Sequence, residues 1–333
     1  MDPEQYKYMV CTRCMTYNHE KYIKDALDGF AMQETTFPAV YVIVDDASTD
    51  STADVIRRYM DEHFDMMSPE AYRRETDYAH IVSAPHQTNS NCTFVVLYLK
   101  QNHYSQRKKK MPYLSEWVDN SKYSAICEGD DYWIDPQKLQ KQVDFLEMHE
   151  DYSLCFNSVK ETYEGKPLLD RIRCRVENRE YSGLEWYQKR PAQTASFVYR
   201  TSILDTDLYK DVKKLRFFVG DCPLLLTCAH YGKLRGFSDV MSVYRHNEGG
   251  WTSQKRSEIY YDELIESHLL YGVFGDEIGR ASRYYYQYEC VNAFVSLLRQ
   301  RKLRIKYLYK AMQISFLGTF RIMFLRLRKQ FRA

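Results

Sequence analysis

Ala39-Val40-Tyr41-Val42-Ile43-Val44-Asp45-Asp46-Ala47-Ser48-Thr49-Asp50 joins a short, fully apolar strand to a turn rich in acids and hydroxyls. Upstream, residues 8–15 read as a strand ending in Thr16-Tyr17-Asn18. Asn18 is placed to cap a helix whose apolar face is Ile23, Ala26, Leu27, Phe30 and Ala31. Downstream, Ser51-x-x-Asp54 offers a capping box for a second helix. Residues 81–84 form a weak third strand, and residues 85–122 read as irregular. Residues 123–127 are a buried strand running into Glu128-Gly129-Asp130-Asp131-Tyr132-Trp133. Asp135-Pro136 then opens a helix with the stripe Leu139, Val143 and Leu146. This alternation predicts an α/β fold with a doubly wound, mostly parallel sheet. Ligands of such sheets bind beyond the carboxyl ends of the strands. Two carboxylate clusters sit there, Asp45-Asp46 and Glu128/Asp130/Asp131.

Farther on, residues 195–200 and 240–245 read as strands and 221–230 as a short helix. From about residue 257 the chain is helical and rich in Tyr, Leu and Arg. The organisation predicted is a catalytic domain over 1–255, with a nucleotide half to about 135 and an acceptor half after it. A helical C-terminal region follows over 256–333.

With 333 residues and 44% hydrophobic content, the chain can bury a sizeable core. Many of its 30 tyrosines should be half-buried, ring inside and hydroxyl wet. Nine scattered cysteines indicate reduced, mostly buried thiols of a cytoplasmic protein. Cys11 and Cys14 form a CxxC without a second pair, so zinc is not expected. No apolar run reaches the roughly 18 residues needed to span a membrane, and the polar N-terminus is not a signal peptide.

Three carboxylates within four residues repel one another unless a cation lies between them. Hard oxygen ligands suit Mn2+ or Mg2+. Such an ion can also hold two phosphate oxygens of a nucleotide diphosphate and neutralise the charge as it departs. Gly129 lets the backbone turn closely. The bland alternative is an acidic turn before a helix. For the Asp45-to-Asp50 turn the alternative is capping by Ser48, Thr49 and Asp50. No G-x-x-x-x-G-K-[ST] or G-x-G-x-x-G stretch is present. Phosphates would therefore rely on acids, metal and basic groups such as Arg107-Lys108-Lys109-Lys110, unless that run is a solvated loop. Asp221 in Gly220-Asp221-Cys222-Pro223 is a candidate general base or a helix cap.

Together these segments resemble the family 2 glycosyltransferases with the GT-A fold, over about residues 6–250. The match rests on Thr16-Tyr17-Asn18, Val42-Ile43-Val44-Asp45-Asp46-Ala47-Ser48-Thr49-Asp50, Glu128-Gly129-Asp130-Asp131 and Gly220-Asp221 in that order. The resemblance implies an inverting transfer from a nucleotide-sugar, a UDP-sugar, to a hydroxyl of a glycan or lipid-linked acceptor. It puts Tyr17 and Asp45 on the base, with Asp46, Lys108 and Lys109 also on the donor side. Glu128, Asp130 and Asp131 fall on the ribose and metal motif, and Asp221 on the general base of the inverting reaction. His246 looks like a metal or diphosphate contact and Trp251 like a wall of the sugar site. The sequence departs from the family pattern at Glu128, at Gly220 and in the lysine-rich stretch near 106–110. The E-G-D-D-Y-W form resembles bacterial enzymes of capsule and O-antigen assembly. A metal-dependent nucleotidyltransferase or a non-catalytic scaffold of the same fold are the rival readings.

Charge is unevenly spread. From Arg299 to the end there are eleven Lys or Arg and no Asp or Glu, which leaves the rest at −9. The apolar residues Ile314, Phe316, Leu317, Phe320, Met323, Phe324, Leu325 and Leu327 alternate with Arg321, Arg326, Arg328 and Lys329. This is the pattern of a basic amphipathic helix at the inner face of a membrane, or of a helix packed on the body or in a homo-oligomer. Nucleic acid is not expected, because polar base-reading groups are not interleaved.

Overall fold

The computed structural model describes residues 6–173, 175–215, 217, 220–247 and 258–330, with side chains considered to residue 325 in the last helix. Contacts divide the chain into two compact units. The first comprises residues 1–181, 190–205 and 231–248, and the second 182–189, 206–230 and 249–333.

The first unit holds a sheet of twelve strands. In chain order they are β1 (Tyr8–Thr16), β2 (Ala39–Asp45), β3 (Tyr72–Glu75), β4 (Ala79–Pro85), β5 (Cys92–Leu99), β6 (Ser121–Ile126), β7 (Tyr132–Trp133), β8 (Tyr152–Tyr163), β9 (Arg171–Ile172), β10 (Glu180–Tyr181), β11 (Val198–Arg200) and β12 (Lys233–His246). The order across the sheet is β10-β12-β8-β11-β6-β1-β2-β5-β4-β3. β6, β1, β2 and β5 form a parallel block. Antiparallel β4 and β3 close one side of it.

Helices α1 (Ile23–Ala31), α2 (Thr52–His63), α3 (Ser115–Val118) and α4 (Lys138–Met148) cover the sheet. Ile23, Leu27 and Phe30 of α1, Ile56 and Met60 of α2 and Leu139, Val143 and Leu146 of α4 share one core. Val10, Tyr41, Ile43, Phe94 and Val96 meet them from the sheet. Cys11, Val40, Val42, Val44, Val95 and Leu97 point the other way, against Leu114, Trp117 and Val118. The two sets alternate along each strand, as the pleat requires. Every residue of β2 is buried, which is the mark of a strand covered on both faces. Cys11 and Cys14 stand three residues apart and so face opposite layers.

The doubly wound α/β expectation is met, with differences in detail. Residues 85–122 are not all irregular, because β5 runs through the apolar stretch Phe94–Leu99 and pairs along the whole of β2. β8, twelve residues long, is a further strand beyond those the sequence pattern predicts. Asn18 does not cap α1. The helix starts at Ile23, and Tyr22 N and Ile23 N both donate to His19 O at 2.9 Å. Ser51 makes no side-chain cap to α2; Asp50 Oδ1 instead accepts from Thr52 N at 2.9 Å.

The second unit contains α5 (Gly183–Lys189), α6 (Asp207–Val212), α7 (Asp221–Tyr231, save its last residue), α8 (Glu258–Leu270), α9 (Asp276–Arg299), α10 (Ile305–Ile314) and α11 (Phe316–Gln330). Tyr261, Ile265, Cys290, Val291, Leu297, Tyr307 and Ile322 form its own core. No helix among the described residues is long and apolar enough to cross a membrane.

Several charged side chains are buried in the first unit, Lys138 among them. Lys138 is fully enclosed, 4.4 Å over the Trp133 ring, and donates to Gln142 Oε1 at 2.7 Å. Burial lowers its pKa from 10.5 to about 7. Below about pH 7 the ammonium is charged in both folded and unfolded chains, and its desolvation cost is fully present. Between about 7 and 10.5 only the unfolded chain stays protonated, so stability rises with pH through that window. Lys138→Met should therefore stabilise the protein by about 1–3 kcal/mol below neutrality. Denaturant unfolding against pH should show that advantage shrinking as the solution is made alkaline; a gap independent of pH contradicts the account.

Candidate active site

Parallel strands β1, β2 and β6 bring their carboxyl ends to one edge, with Thr16 beside Asp45. Past β6 the chain stays attached to β1, as Cys127 N donates to Arg13 O at 3.1 Å and Gly129 N to Met15 O at 2.9 Å. These bonds lay Glu128, Asp130 and Asp131 against the turn that follows β1. A Cβ on Gly129 would lie 2.6 Å from Thr16 Oγ1 and 3.1 Å from His19 Nδ1. Only glycine allows that approach.

The turns after β1 and β2 are latched together. Asn18 N donates to Ser48 Oγ at 2.9 Å, Thr49 N to Asn18 Oδ1 at 2.8 Å, and His19 N to Thr52 Oγ1 at 2.8 Å. Asn18 and Ala47 take left-handed backbone, with φ of 56° and 57°. Asp45 is buried and accepts from Ser48 N at 3.2 Å and Ser48 Oγ at 2.5 Å. Burial raises its pKa, and the Ser48 bonds offset only part of that.

Asp46, placed by sequence on the donor side, is a buried organiser of the loop after β5. It accepts from His103 N at 2.7 Å, Tyr104 N at 3.0 Å and Lys110 Nζ at 2.6 Å. Of the basic run, Lys110 turns in while Lys108 and Lys109 stay exposed. Tyr17 is 41% exposed at the same edge, with its ring available for stacking.

The three acids after β6 differ in environment. Burial and the neighbouring Asp130 charge push Glu128 up to about 7, against the pull of Arg13 and Lys110. Burial and Asp130 also hold Asp131 well above the usual carboxylate range, although Arg245 N donates to it at 3.0 Å. Asp130 keeps 22% of its side chain exposed, accepts from Asn247 Nδ2 at 3.0 Å and lies 4.0 Å from His19 Nε2. Burial lowers the His19 pKa, which the Asp130 charge opposes. The region thus holds carboxylates short of cations.

Arg245 and His246 end β12 close by. The Arg245 guanidinium lies between the Tyr22 and Tyr132 rings, at 4.9 and 4.8 Å, and bonds Asp25 at 2.5 Å. His246, expected near metal or diphosphate, stacks on Tyr163 at 4.3 Å and points Nε2 at Glu161, 3.4 Å away. Burial acts to raise the pKa of Glu161, but the bonds from Arg171 and Arg173 outweigh it and hold it low. Asp221 belongs to the second unit. It is half-buried at the start of α7 and accepts from Cys222 N at 2.6 Å, a local cap. Trp251 lies outside the described residues.

Arg13, His19, Arg245 and Asn247 carry no expected role in the sequence, and Lys110, expected among the phosphate partners, bonds Asp46 instead. Of these, Arg13 carried a signal, as a charge inside a strand that buries both faces. It is buried and reaches the Tyr199 hydroxyl and Met111 Sδ.

Among the described residues no three His, Cys, Asp or Glu side chains converge as a ready metal cage. The donor chemistry nevertheless fits a small hard cation. Mg2+-type sites use one or two protein carboxylates, and substrate phosphates and water complete them. Asp130, backed by half-buried Glu128 and buried Asp131, meets that description.

A sheet that ends in acids at a single edge, around a parallel doubly wound block, places a candidate ligand site beyond the carboxyl ends of its strands. Residues 14–70 match the profile of Glycosyl transferase family 2. By that match residues 14–70 are similar to the family 2 glycosyltransferases, and the fold is the GT-A fold. It is 30% identical over 249 residues to the uncharacterized proteins Rv1520 of Mycobacterium tuberculosis and Mb1547 of Mycobacterium bovis, covering 72% of this chain. It spans 59% of the length of those relatives. In fold it is similar to S. aureus TarS 1-349 in complex with UDP-GlcNAc, with a TM-score of 0.53 and 14% identity over 96% of this chain and 92% of that one. It is also similar to the mannosyltransferase PcManGT from Pyrobaculum calidifontis in complex with GDP-Man and Mn2+, with a TM-score of 0.52 and 14% identity over 95% and 82%.

Gly129→Ala should cost about 1–3 kcal/mol, because Thr16 and His19 have to move. A thermal unfolding series with Thr16→Ala added reads this directly. Partial recovery in the double variant is expected, and an unshifted single variant contradicts the packing.

Proposed function

We propose that the chain transfers a sugar from a nucleotide-diphosphate donor, a UDP-sugar, to an acceptor hydroxyl with inversion at the anomeric carbon. The observation that carries this reading is the gathering of Asp45 and the Glu128/Asp130/Asp131 set at one strand edge. TarS with UDP-GlcNAc and PcManGT with GDP-Man and Mn2+ share the fold and support a nucleotide-sugar donor.

Exposed Tyr17 would stack on the base and Asp45 would accept from it. Asp46 would act indirectly, by fixing the loop that carries Lys108 and Lys109 toward the phosphates. Asp130, with Asp131, would hold Mn2+ or Mg2+, and Glu128 would face the ribose. His246 would join them only by leaving Glu161. A divalent ion bound there would neutralise charge growing on the leaving diphosphate. Asp221 would take the proton from the acceptor hydroxyl as that oxygen bonds to the anomeric carbon, and Trp251 would wall the sugar. Positive charge would build on the ring as in glycoside hydrolysis.

The acceptor we propose is a glycan or lipid-linked sugar, as in the assembly of capsule or O-antigen, handled at the inner face of the cell membrane. β11 runs antiparallel to both β6 and β8, so β8 ends at the same edge as β6. The turn after β8 presents Leu168 at 99% and Leu169 at 52% exposure. Its Glu164 Oε2 accepts from the Tyr22 hydroxyl at 2.6 Å, which ties the turn to the active edge. Two solvent-facing leucines there suit the hydrocarbon of a lipid-linked acceptor.

Asp221→Asn should bind donor normally and lose about 10²–10⁴ in turnover; near-normal turnover in a radiolabelled-sugar assay removes Asp221 from the role. Replacing Leu168 and Leu169 by Ser should raise KM for a lipid-linked acceptor and leave KM for a short soluble analogue unchanged. Equal effects on both acceptors would argue against the lipid contact.

A further inference from the structure

The last helix of the second unit is fastened on one side and bare on the other. Gln287, buried on α9, donates to Ala311 O at 3.2 Å, Ser315 O at 2.6 Å and Thr319 Oγ1 at 3.0 Å. Its amide thus holds the corner between α10 and α11. Gly318 packs against it, since an added Cβ would lie 3.0 Å from the amide. Thr319 and Ile322 turn inward and are buried. This fixes which side of α11 faces out.

The outward side is apolar. Phe316 is 61% exposed, Leu317 80%, Phe320 46%, Phe324 64% and Leu325 50%. Phe316 and Phe320 lie one turn apart with ring centroids at 5.0 Å, so the side chains form a continuous ridge. Solvent-facing aromatic ridges of this size mark interaction surfaces.

Charge selects the occupant. Arg304 and Lys306 are neutralised by Glu258 and Asp262. Arg299, Arg301, Lys302, Lys310 and Arg321 have no recorded ion pair among the described residues, and no acid occurs after Glu289. Arg321 is exposed on α11 beside the ridge, and a second copy meeting this face across a twofold axis would bring that cation toward its equal in a tail with no acid to offset it. A surface of anionic headgroups over hydrocarbon satisfies both features. Phenylalanines enter the acyl boundary while arginine and lysine stay at the phosphates.

We propose that the outward face of α11 docks the protein on an anionic lipid surface, with Phe316, Phe320 and Phe324 as the inserting side chains.

The test is flotation of the full chain with vesicles of phosphatidylcholine alone and of phosphatidylcholine mixed with phosphatidylglycerol. The protein should float with the mixed vesicles, remain below with the neutral ones, and lose binding as salt is raised. The variant carrying Phe316→Ser, Phe320→Ser and Phe324→Ser should lose most of the floated fraction while keeping the wild-type Tm. Arg321→Glu, which leaves the ridge intact, should weaken flotation without abolishing it. Full flotation of the triple serine variant overturns the proposal. So does a chain that floats with neither vesicle and instead forms a dimer in light scattering that the triple variant dissolves, since the ridge would then be a subunit contact.

Discussion

Two main-chain hydrogen bonds, from Cys127 N to Arg13 O and from Gly129 N to Met15 O, decide where the acidic segment goes. They extend the β6–β1 pairing beyond the last regular residue of β6. A carboxylate two to five residues past a strand end could otherwise point in many directions. Here Asp131 is buried and Glu128 half-buried, while Asp130 stays partly open. The cost of that placement is visible in the raised pKa values of Glu128 and Asp131. Burial raises both pKa values first, and the neighbouring Asp130 charge adds to it.

The rest of the edge is shaped to keep this arrangement rigid. The turn after β1 is bound to the turn after β2 through Asn18, Ser48, Thr49 and Thr52, with two residues in left-handed backbone. Asp46 spends its carboxylate on His103, Tyr104 and Lys110. Neighbouring aspartates in sequence therefore have different work. Asp45 holds the turn at the strand end through Ser48, and Asp46 orders the loop beside it.

The parallel block was legible because β1, β2 and β6 are apolar strands that stop abruptly at polar turns. The acids at their ends were legible for the same reason, since strand polarity fixes the edge. β5 was overlooked although Phe94–Leu99 is as apolar as β2. The Asn, Gln and His around it suggested a loop, and its partner β2 is distant in sequence. Lys110 cannot be told from Lys108 and Lys109 by composition, because what separates them is the tertiary contact of Lys110 with Asp46. His246 was noticed, but its pairing with Glu161 depends on the register of β8 and β12. Local pattern carries no information on that register.

The central claim is that this edge binds a nucleoside diphosphate through a divalent ion held by Asp130. Calorimetric titration of UDP into the protein with Mn2+, then with excess chelator, tests it most directly. The account predicts tight binding with the metal and near-complete loss without it, with Asp130→Asn reproducing the loss. Equal affinity for UDP in all three titrations would contradict it.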